Sequence, residues 1–534
     1  MTSDQLDVLV VGAGIAGMYQ LHRLRELGFS VRAVDAAPDV GGTWYWNAYP
    51  GARVDSPANV YQYWFSQELL DEWEWSERFP GQPEIKRYLK HVAEKFDLYR
   101  DIELNTQVES ASWLEEEQCW QVVLAGGRIY RPRYLVSCVG MLSSPKIPEF
   151  PGREGFAGEI FHTARWPQHP VDFAGKRVGV IGTGATGIQI VQTLASEAEE
   201  LFVFQRTPQY AVRMRNHPVD AQVMQEWRAQ YPTLKNQVHE TFAGFEWHVP
   251  EPGWAPTLSA EQRLAILEEC WADGSLKMFV GTYPEVLADP EINAEVTEFV
   301  RAKISAQIDD PEVAERLVPS DYGYGLYRVP LENGYFEAFN RKNVHLVDVK
   351  REPIESYSKA GLIVGGKEYP LDALIFATGF DAGTGGLARM NVTGRDGRSL
   401  SELWSKDIRT TLGLQVHGFP NLFTVGGPLA PSTAFCNMTT CLQQQVDWIT
   451  DAVVYLRDQH KHTMEPTAER EEEWVQHHDE VANSTLLLSV NSWYVGGNIE
   501  GKPRRLLSYI GGVGVYRDLC DEIKANNYPG FVLA

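Results

Sequence analysis

Asp7-Val-Leu-Val-Val-Gly12-Ala-Gly14-Ile-Ala-Gly17 holds a strand, a tight turn and the start of a helix in one short run. The apolar part is β-branched and nearly continuous, as expected of a parallel strand buried on both faces. Gly12, Gly14 and Gly17 form a GxGxxG turn. Such glycines permit a tight bend, let the backbone approach a pyrophosphate, and pack helix against strand. Leu21, Leu24 and Leu27 continue as one helical stripe. Ser30-Val-Arg-Ala-Val-Asp35 then reads as a second strand ending in an acid. A carboxylate there can accept both hydroxyls of a ribose.

The pattern returns further on. Arg177-Val-Gly-Val-Ile leads into Gly182-Thr183-Gly184-Ala-Thr186-Gly187, and Ile188, Val191, Leu194 and Ala195 mark the following helix. The next strand, Leu201-Phe-Val-Phe-Gln205, ends in Arg206 and Thr207 in place of an acid. A guanidinium fork can bind a 2′-phosphate that an acid would repel. Two βαβ units therefore predict two dinucleotide sites, the first suited to FAD and the second to NADP(H). Together they imply hydride transfer from nicotinamide to flavin.

The fold class expected is α/β, with two Rossmann-like dinucleotide-binding domains and an inserted helical subdomain. Apolar spacing is helical from Leu264 to Leu267 and from Val296 to Ile304, with few strand signals nearby. The expected division is 1–141 with 381–534 for FAD, 142–213 with 323–380 for NADP, and 214–322 for the insertion. Pro145, Pro148, Pro151 and Gly152 read as a linker, and Glu469-Arg-Glu-Glu-Glu473 as a solvated helix face.

The 534 residues are enough for roughly three domains. With 48 Lys+Arg against 71 Asp+Glu, the charge of −23 disfavours a nucleic-acid or anionic-membrane partner. No apolar run approaches the ~18 residues that span a bilayer. The start, Met1 to Asp7, carries two acids and no base, unlike a secretory signal. Six cysteines are too few for a disulfide framework. A cytoplasmic protein with no metal site is expected, a monomer by default.

Flavin electrons need an acceptor. Cys436-Asn-Met-Thr-Thr-Cys441 has the CxxxxC spacing of a redox disulfide, but it lies far from the first nucleotide turn, and two incidental cysteines are the simpler reading. Dioxygen is the alternative acceptor. Phe156-Ala-Gly158-Glu-Ile-Phe-His162-Thr-Ala-Arg-Trp166-Pro167 matches the FxGxxxHxxxW(P/D) fingerprint of type I Baeyer–Villiger monooxygenases. Gly41-Gly42-Thr-Trp44 through Tyr49-Pro-Gly-Ala-Arg-Val-Asp55 and Ala377-Thr-Gly379-Phe-Asp381 also resemble that family. The resemblance runs from about Asp7 to the C-terminus and is close to the branch that includes phenylacetone and cyclohexanone monooxygenases.

That resemblance implies an NADPH- and O2-dependent enzyme. It would insert one oxygen beside a ketone carbonyl through a C4a-peroxyflavin, giving an ester or lactone. A heteroatom (N or S) hydroxylase of the same architecture is the alternative. The resemblance assigns Arg328, in Gly325-Leu-Tyr-Arg328-Val, as the catalytic cation and Asp55 as its partner. Gly42 and Trp44 fall on the FAD side. Trp493, in Ser492-Trp-Tyr-Val-Gly-Gly-Asn498, falls in a loop that closes over NADP, and Gly426-Gly-Pro428 lies near the flavin. His162 is expected to be a linker residue. Many relatives carry Lys before the catalytic arginine, where this chain has Tyr327. That leaves Arg206 more of the 2′-phosphate recognition.

Overall fold

A computed structural model describes residues 3–432 and 434–534, so Met1, Thr2 and Thr433 lie outside the described residues. The chain begins with β1 (Ser3–Val11), α1 (Ile15–Glu26), β2 (Val31–Val34), β3 (Ile102–Glu103), β4 (Val108–Leu114), β5 (Cys119–Leu124) and β6 (Ile129–Ser137). It continues with β7 (Glu159–His162), β8 (Arg177–Ile181), α2 (Ala185–Leu194) and β9 (Glu200–Gln205). After a helical stretch come β10 (Val344–Asp348), β11 (Ala373–Phe376), β12 (Val392–Thr393), β13 (Leu422–Thr424) and α3 (Met438–Asp458).

The first sheet has eight strands in the order β12-β4-β5-β6-β1-β2-β3, with β13 also pairing to β6. β1 runs parallel to both neighbours, with Val8 opposite Val31 and Val10 opposite Val136. Val8, Leu9 and Val10 have no exposed surface, which is why the run shows no polar alternation. α1 buries Met18, Leu21 and Leu24 and is tied to α3 by Gln20 Nε2 donating to Thr450 Oγ1 at 2.9 Å.

The second sheet has five parallel strands in the order β10-β9-β8-β11-β7. Both expected βαβ units are present, and the α/β reading holds. A mixed β4–β5–β6 edge extends the first sheet, where β5 runs antiparallel to its neighbours.

Between β9 and β10 the chain forms helices Ala221–Gln237, Ala260–Asp273, Pro290–Ser305 and Pro311–Leu317. Their starts follow from local chemistry. Ser259 and Gln262 make a reciprocal capping box, and Asp289 and Asp310 cap helices that open on proline. Val296, Val300 and Ile304 are fully buried, but Leu264 is 49% exposed, so its helix buries a narrower face than the apolar spacing indicates. A short parallel pairing of Val212–Arg213 with Leu331–Glu332 clips the neck of this stretch.

The acidic run near 470 is not wholly solvated. Glu471 is buried, accepts from the His417 backbone at 2.8 Å, and faces Arg409 at 3.4 Å. Burial raises its carboxyl pKa, and those two partners oppose the shift. Among the described residues no helix is long and apolar enough to cross a membrane, and no His/Cys/Asp/Glu cluster could hold a metal ion.

Candidate active site

At the C-terminal end of β1 the glycines are required by contact. Gly12 has φ +110°, and a Cβ there would sit 2.4 Å from the Cys138 carbonyl oxygen. A Cβ on Gly17 would sit 1.8 Å from the Gly12 carbonyl oxygen. The turn opens on a cavity of about 670 Å³ lined by Gly12, Gly14, Asp35, Gly42, Trp44, Asp55 and Arg328. Asp35 is anchored by its own turn. Its Oδ2 accepts from the Ala13 N–H at 2.6 Å and its Oδ1 from the Ala37 N–H at 2.7 Å. Burial raises its pKa against those two hydrogen bonds.

Gly42 caps a short helix, Thr43–Trp46, with φ 54°, and a Cβ there would lie 2.9 Å from the Gly14 Cα. Trp44 is buried, and its indole N–H donates to the Tyr61 hydroxyl at 3.0 Å. These residues form a glycine cradle, an anchored acid and an aromatic wall on one cavity, and they fit a flavin dinucleotide.

Asp55 and Arg328 are 273 residues apart in sequence and meet at this cavity. Arg328 Nη2 donates to Asp55 Oδ2 at 2.6 Å, and Nη1 donates to its neighbour's carbonyl, Val329, at 2.9 Å. The Arg328 carbonyl accepts from Gln209 Nε2, and the guanidinium lies 5.7 Å from the centroid of the Phe279 ring. The charged pair is mostly shielded, with 15% of the Arg328 side chain and 24% of the Asp55 side chain exposed. Tyr494 is fully buried, and burial raises its hydroxyl pKa despite the pull of Arg328.

The second turn repeats the first. Gly182 has φ +108° and faces the Ala377 carbonyl oxygen at 2.4 Å from a would-be Cβ, and Gly187 faces Gly182 oxygen at 2.1 Å. Gly184 meets nothing within 4 Å, which leaves room for an approaching ligand. Thr183 Oγ1 donates to the Thr207 carbonyl at 2.8 Å and holds the turn to the end of β9. Thr186 lies 3.4 Å from the Tyr49 hydroxyl. Arg206 is exposed. Tyr327 is half-buried, with its pKa raised by burial and lowered by Arg206 and Lys350. These residues fit a second dinucleotide.

The two halves are joined directly. The Tyr49 hydroxyl donates to Gln189 Oε1 on α2 at 3.0 Å, and Gln189 Nε2 donates to the Arg53 carbonyl at 2.9 Å. Burial raises the Tyr49 pKa to about 12. His162 has both ring nitrogens occupied, one by the Lys146 carbonyl at 3.2 Å and one by the Ala164 N–H at 3.1 Å. Burial lowers its pKa, so the neutral ring acts as a peg for the turn after β7. Trp166 is buried against Phe161 and Phe173, and its backbone N–H donates to the Trp46 carbonyl at 3.2 Å.

Trp493 does not line the cavity. It packs against Tyr494 with ring centroids 4.7 Å apart, in a loop pinned to 380–382 by Asn498 and Lys502.

Three cations escape a reading of the sequence. Arg165 and Arg389 line the cavity, and Arg165 also stacks 4.4 Å from the Trp46 centroid. Lys146 lies in the proline-rich linker, where burial and nearby Arg206 lower its pKa. No motif marks them. The cysteine pair also differs from expectation, since Cys436 and Cys441 are joined as a disulfide. Cys441 faces back from the first turn of α3 onto the segment that carries Cys436.

The flavin-binding monooxygenase-like family model matches residues 5–246. Acetone monooxygenase (methyl acetate-forming) of Gordonia sp. strain TY-5 is 51% identical, with all of both chains covered. A Baeyer–Villiger monooxygenase of Pseudooceanicola batsensis is 38% identical over 98% of this chain and 96% of its own. The solved structure of OTEMO in complex with FAD and NADP aligns over the whole of both chains at 39% identity, with a TM-score of 0.95. With a paired carboxylate and guanidinium beside one dinucleotide cradle and a second cradle facing it, the chain belongs to the flavin-binding monooxygenase-like family, among its Baeyer–Villiger monooxygenases.

Proposed function

We propose that this chain is an FAD-containing, NADPH- and O2-dependent monooxygenase that places one oxygen atom beside a ketone carbonyl, giving an ester or lactone. The observation that carries the reading is the Arg328–Asp55 pair on the wall of the cavity that the first glycine turn opens. Asp35 accepts the ribose hydroxyls of FAD, and the Gly12–Gly17 turn, with Gly42 and Trp44, takes its pyrophosphate and ring side. Gly182, Thr183, Gly184, Thr186 and Gly187 receive the NADPH pyrophosphate. Arg206 and Thr207 receive its 2′-phosphate, and Trp493 supports the loop that closes over it.

Bound FAD and NADPH supply the hydride and the O2 chemistry. The protein's part is electrostatic. An arginine stays charged at every working pH and gives up no proton readily, so Arg328 stabilises negative charge on oxygen without quenching it. Asp55 fixes the guanidinium plane through a charge-assisted hydrogen bond. Phe279, Trp44 and buried Tyr61 keep the surroundings poor in water, which strengthens that field.

The division into 1–141 with 381–534, 142–213 with 323–380, and 214–322 is supported by sheet membership, since β12 and β13 join the first sheet and β10 and β11 the second. A cytoplasmic monomer is the working state. The acetone-oxidising relative makes small acyclic ketones the first substrates to try. The test is incubation with NADPH, 18O2 and a ketone panel, followed by product mass. One labelled oxygen in an ester supports the reading. NADPH consumed with hydrogen peroxide as the only oxygen product, whatever the ketone, overturns it. A sulfide in the same panel reads the heteroatom alternative.

A further inference from the structure

We propose that Cys436 and Cys441 form a reversible redox site, a dithiol that hydrogen peroxide closes to a cystine and an external dithiol reopens, and that its state sets one wall of the cavity facing Arg328. The two sulfurs are bonded, with Cα atoms 6.9 Å apart, while Cys119, Cys138, Cys270 and Cys520 are unpaired. The two partners differ in access. Cys441 has no exposed surface, whereas Cys436 is half-buried and lines the same cavity as Arg328 and Asp55. Oxidant or reductant entering that cavity meets Cys436 first.

The open form also has a place for its proton. Cys436 Sγ lies 3.4 Å from the Ser432 carbonyl, which can accept a thiol hydrogen.

The bridge clamps a loop with chemistry at both ends. Cys436 follows Phe435, whose ring meets Tyr494 at 4.8 Å and Phe279 at 6.3 Å, and Phe279 lies beside the Arg328 guanidinium. Cys436 precedes Asn437, whose Nδ2 donates to the Val60 carbonyl at 2.8 Å. Closing the bridge ties Phe435 to the rigid first turn of α3, and opening it frees Phe435 to move against Phe279.

The chemistry balances in two steps. The Cys436 thiol takes one oxygen from hydrogen peroxide, the O–O bond breaks, and one water leaves. The Cys441 thiol then displaces that oxygen as a second water, forming the S–S bond. Both sulfurs are oxidised, and both peroxide oxygens are reduced. In reverse, an external dithiol attacks Cys436 Sγ, Cys441 leaves as the thiolate and takes a proton, and the reagent departs as its own cyclic disulfide.

The experiment uses the FAD-loaded full chain. It is reduced with dithiothreitol, desalted, and divided with and without a small excess of hydrogen peroxide. Both portions are then denatured, alkylated and weighed. Six labels are expected without peroxide and four with it, with peptide mapping placing the bridge between 436 and 441. C436S is expected to carry five labels in both portions. In wild type the KM for a ketone should shift severalfold between the two states, and in C436S it should not shift. Six labels after peroxide, a bridge to any other cysteine, or Cys436 carried on to the sulfonic acid would overturn the site. A KM that ignores the bridge would overturn its effect on the wall. The label count does not depend on the ketone reading, so failure of one is distinguishable from failure of the other.

Discussion

The two glycine turns are nearly superimposable in their demands and opposite in their surroundings. Gly12 and Gly182 have φ of +110° and +108°, and each would push a Cβ to 2.4 Å from the carbonyl oxygen of the residue just past the neighbouring strand, Cys138 and Ala377. Beyond the turn they diverge. The first meets buried Asp35, held by two backbone N–H groups inside a cavity. The second ends at exposed Arg206. On the function proposed above, one backbone design serves two cofactors because the turn meets what they share, a pyrophosphate, and the end of the following strand meets what they do not. The enclosed site suits a resident group, and the open one suits a group that must come and go.

The strongest break in this comparison is at the cation on the wall of the first site. R328A should still bleach flavin with NADPH but lose ester formation by at least about 100- to 1,000-fold, the loss typical of removing one stabiliser of a developing oxyanion. Retained ester yield in product mass analysis would remove Arg328 from the chemistry.

Next are the turns themselves. G17A forces a Cβ to 1.8 Å from a backbone oxygen, whereas G184A meets nothing within 4 Å. G17A should therefore purify without flavin or not fold. G184A should keep full flavin absorbance and bind NADPH more weakly by equilibrium titration. Loss of flavin in both would contradict the division of roles.

R206A should weaken NADPH by about 10- to 100-fold, the value of one or two charge-assisted hydrogen bonds, and leave NADH nearly unchanged. Equal loss for both coenzymes in equilibrium binding would separate Arg206 from the 2′-phosphate.

The smallest effect concerns the second sheet alone. Arg177 holds the half-buried Asp372 carboxyl at a pKa of about 2, mainly by side-chain hydrogen bonds. A depressed pKa adds stability above the ordinary carboxylate range that fades as pH falls through the folded value. D372N should lower Tm slightly at neutral pH, and the gap to wild type should close as pH falls toward about 2. A gap that persists there would assign the effect to something other than charge.

Much of this was legible in the sequence because it is local. A buried parallel strand writes itself as Val8-Leu9-Val10, and a glycine cradle as Gly12, Gly14 and Gly17, since each demand falls on adjacent residues. The Asp55–Arg328 pairing came only through resemblance, because 273 residues separate the partners and no periodicity spans that distance. Arg165, Arg389 and Lys146 had no such cover, since a cation becomes part of a site only when other segments fold around it. Glu471 misled for the converse reason, because the charge run on its own helix says nothing of the backbone N–H that His417 brings to it.

The Tyr49–Gln189–Arg53 relay makes the two halves mechanically answerable to each other. Gln189 rides on α2, whose first turn begins at the second glycine turn, and Arg53 stands two residues before the carboxylate that holds Arg328. Any tilt of α2 as coenzyme arrives pulls on that thread, so the angle of the guanidinium can register an occupant it never touches.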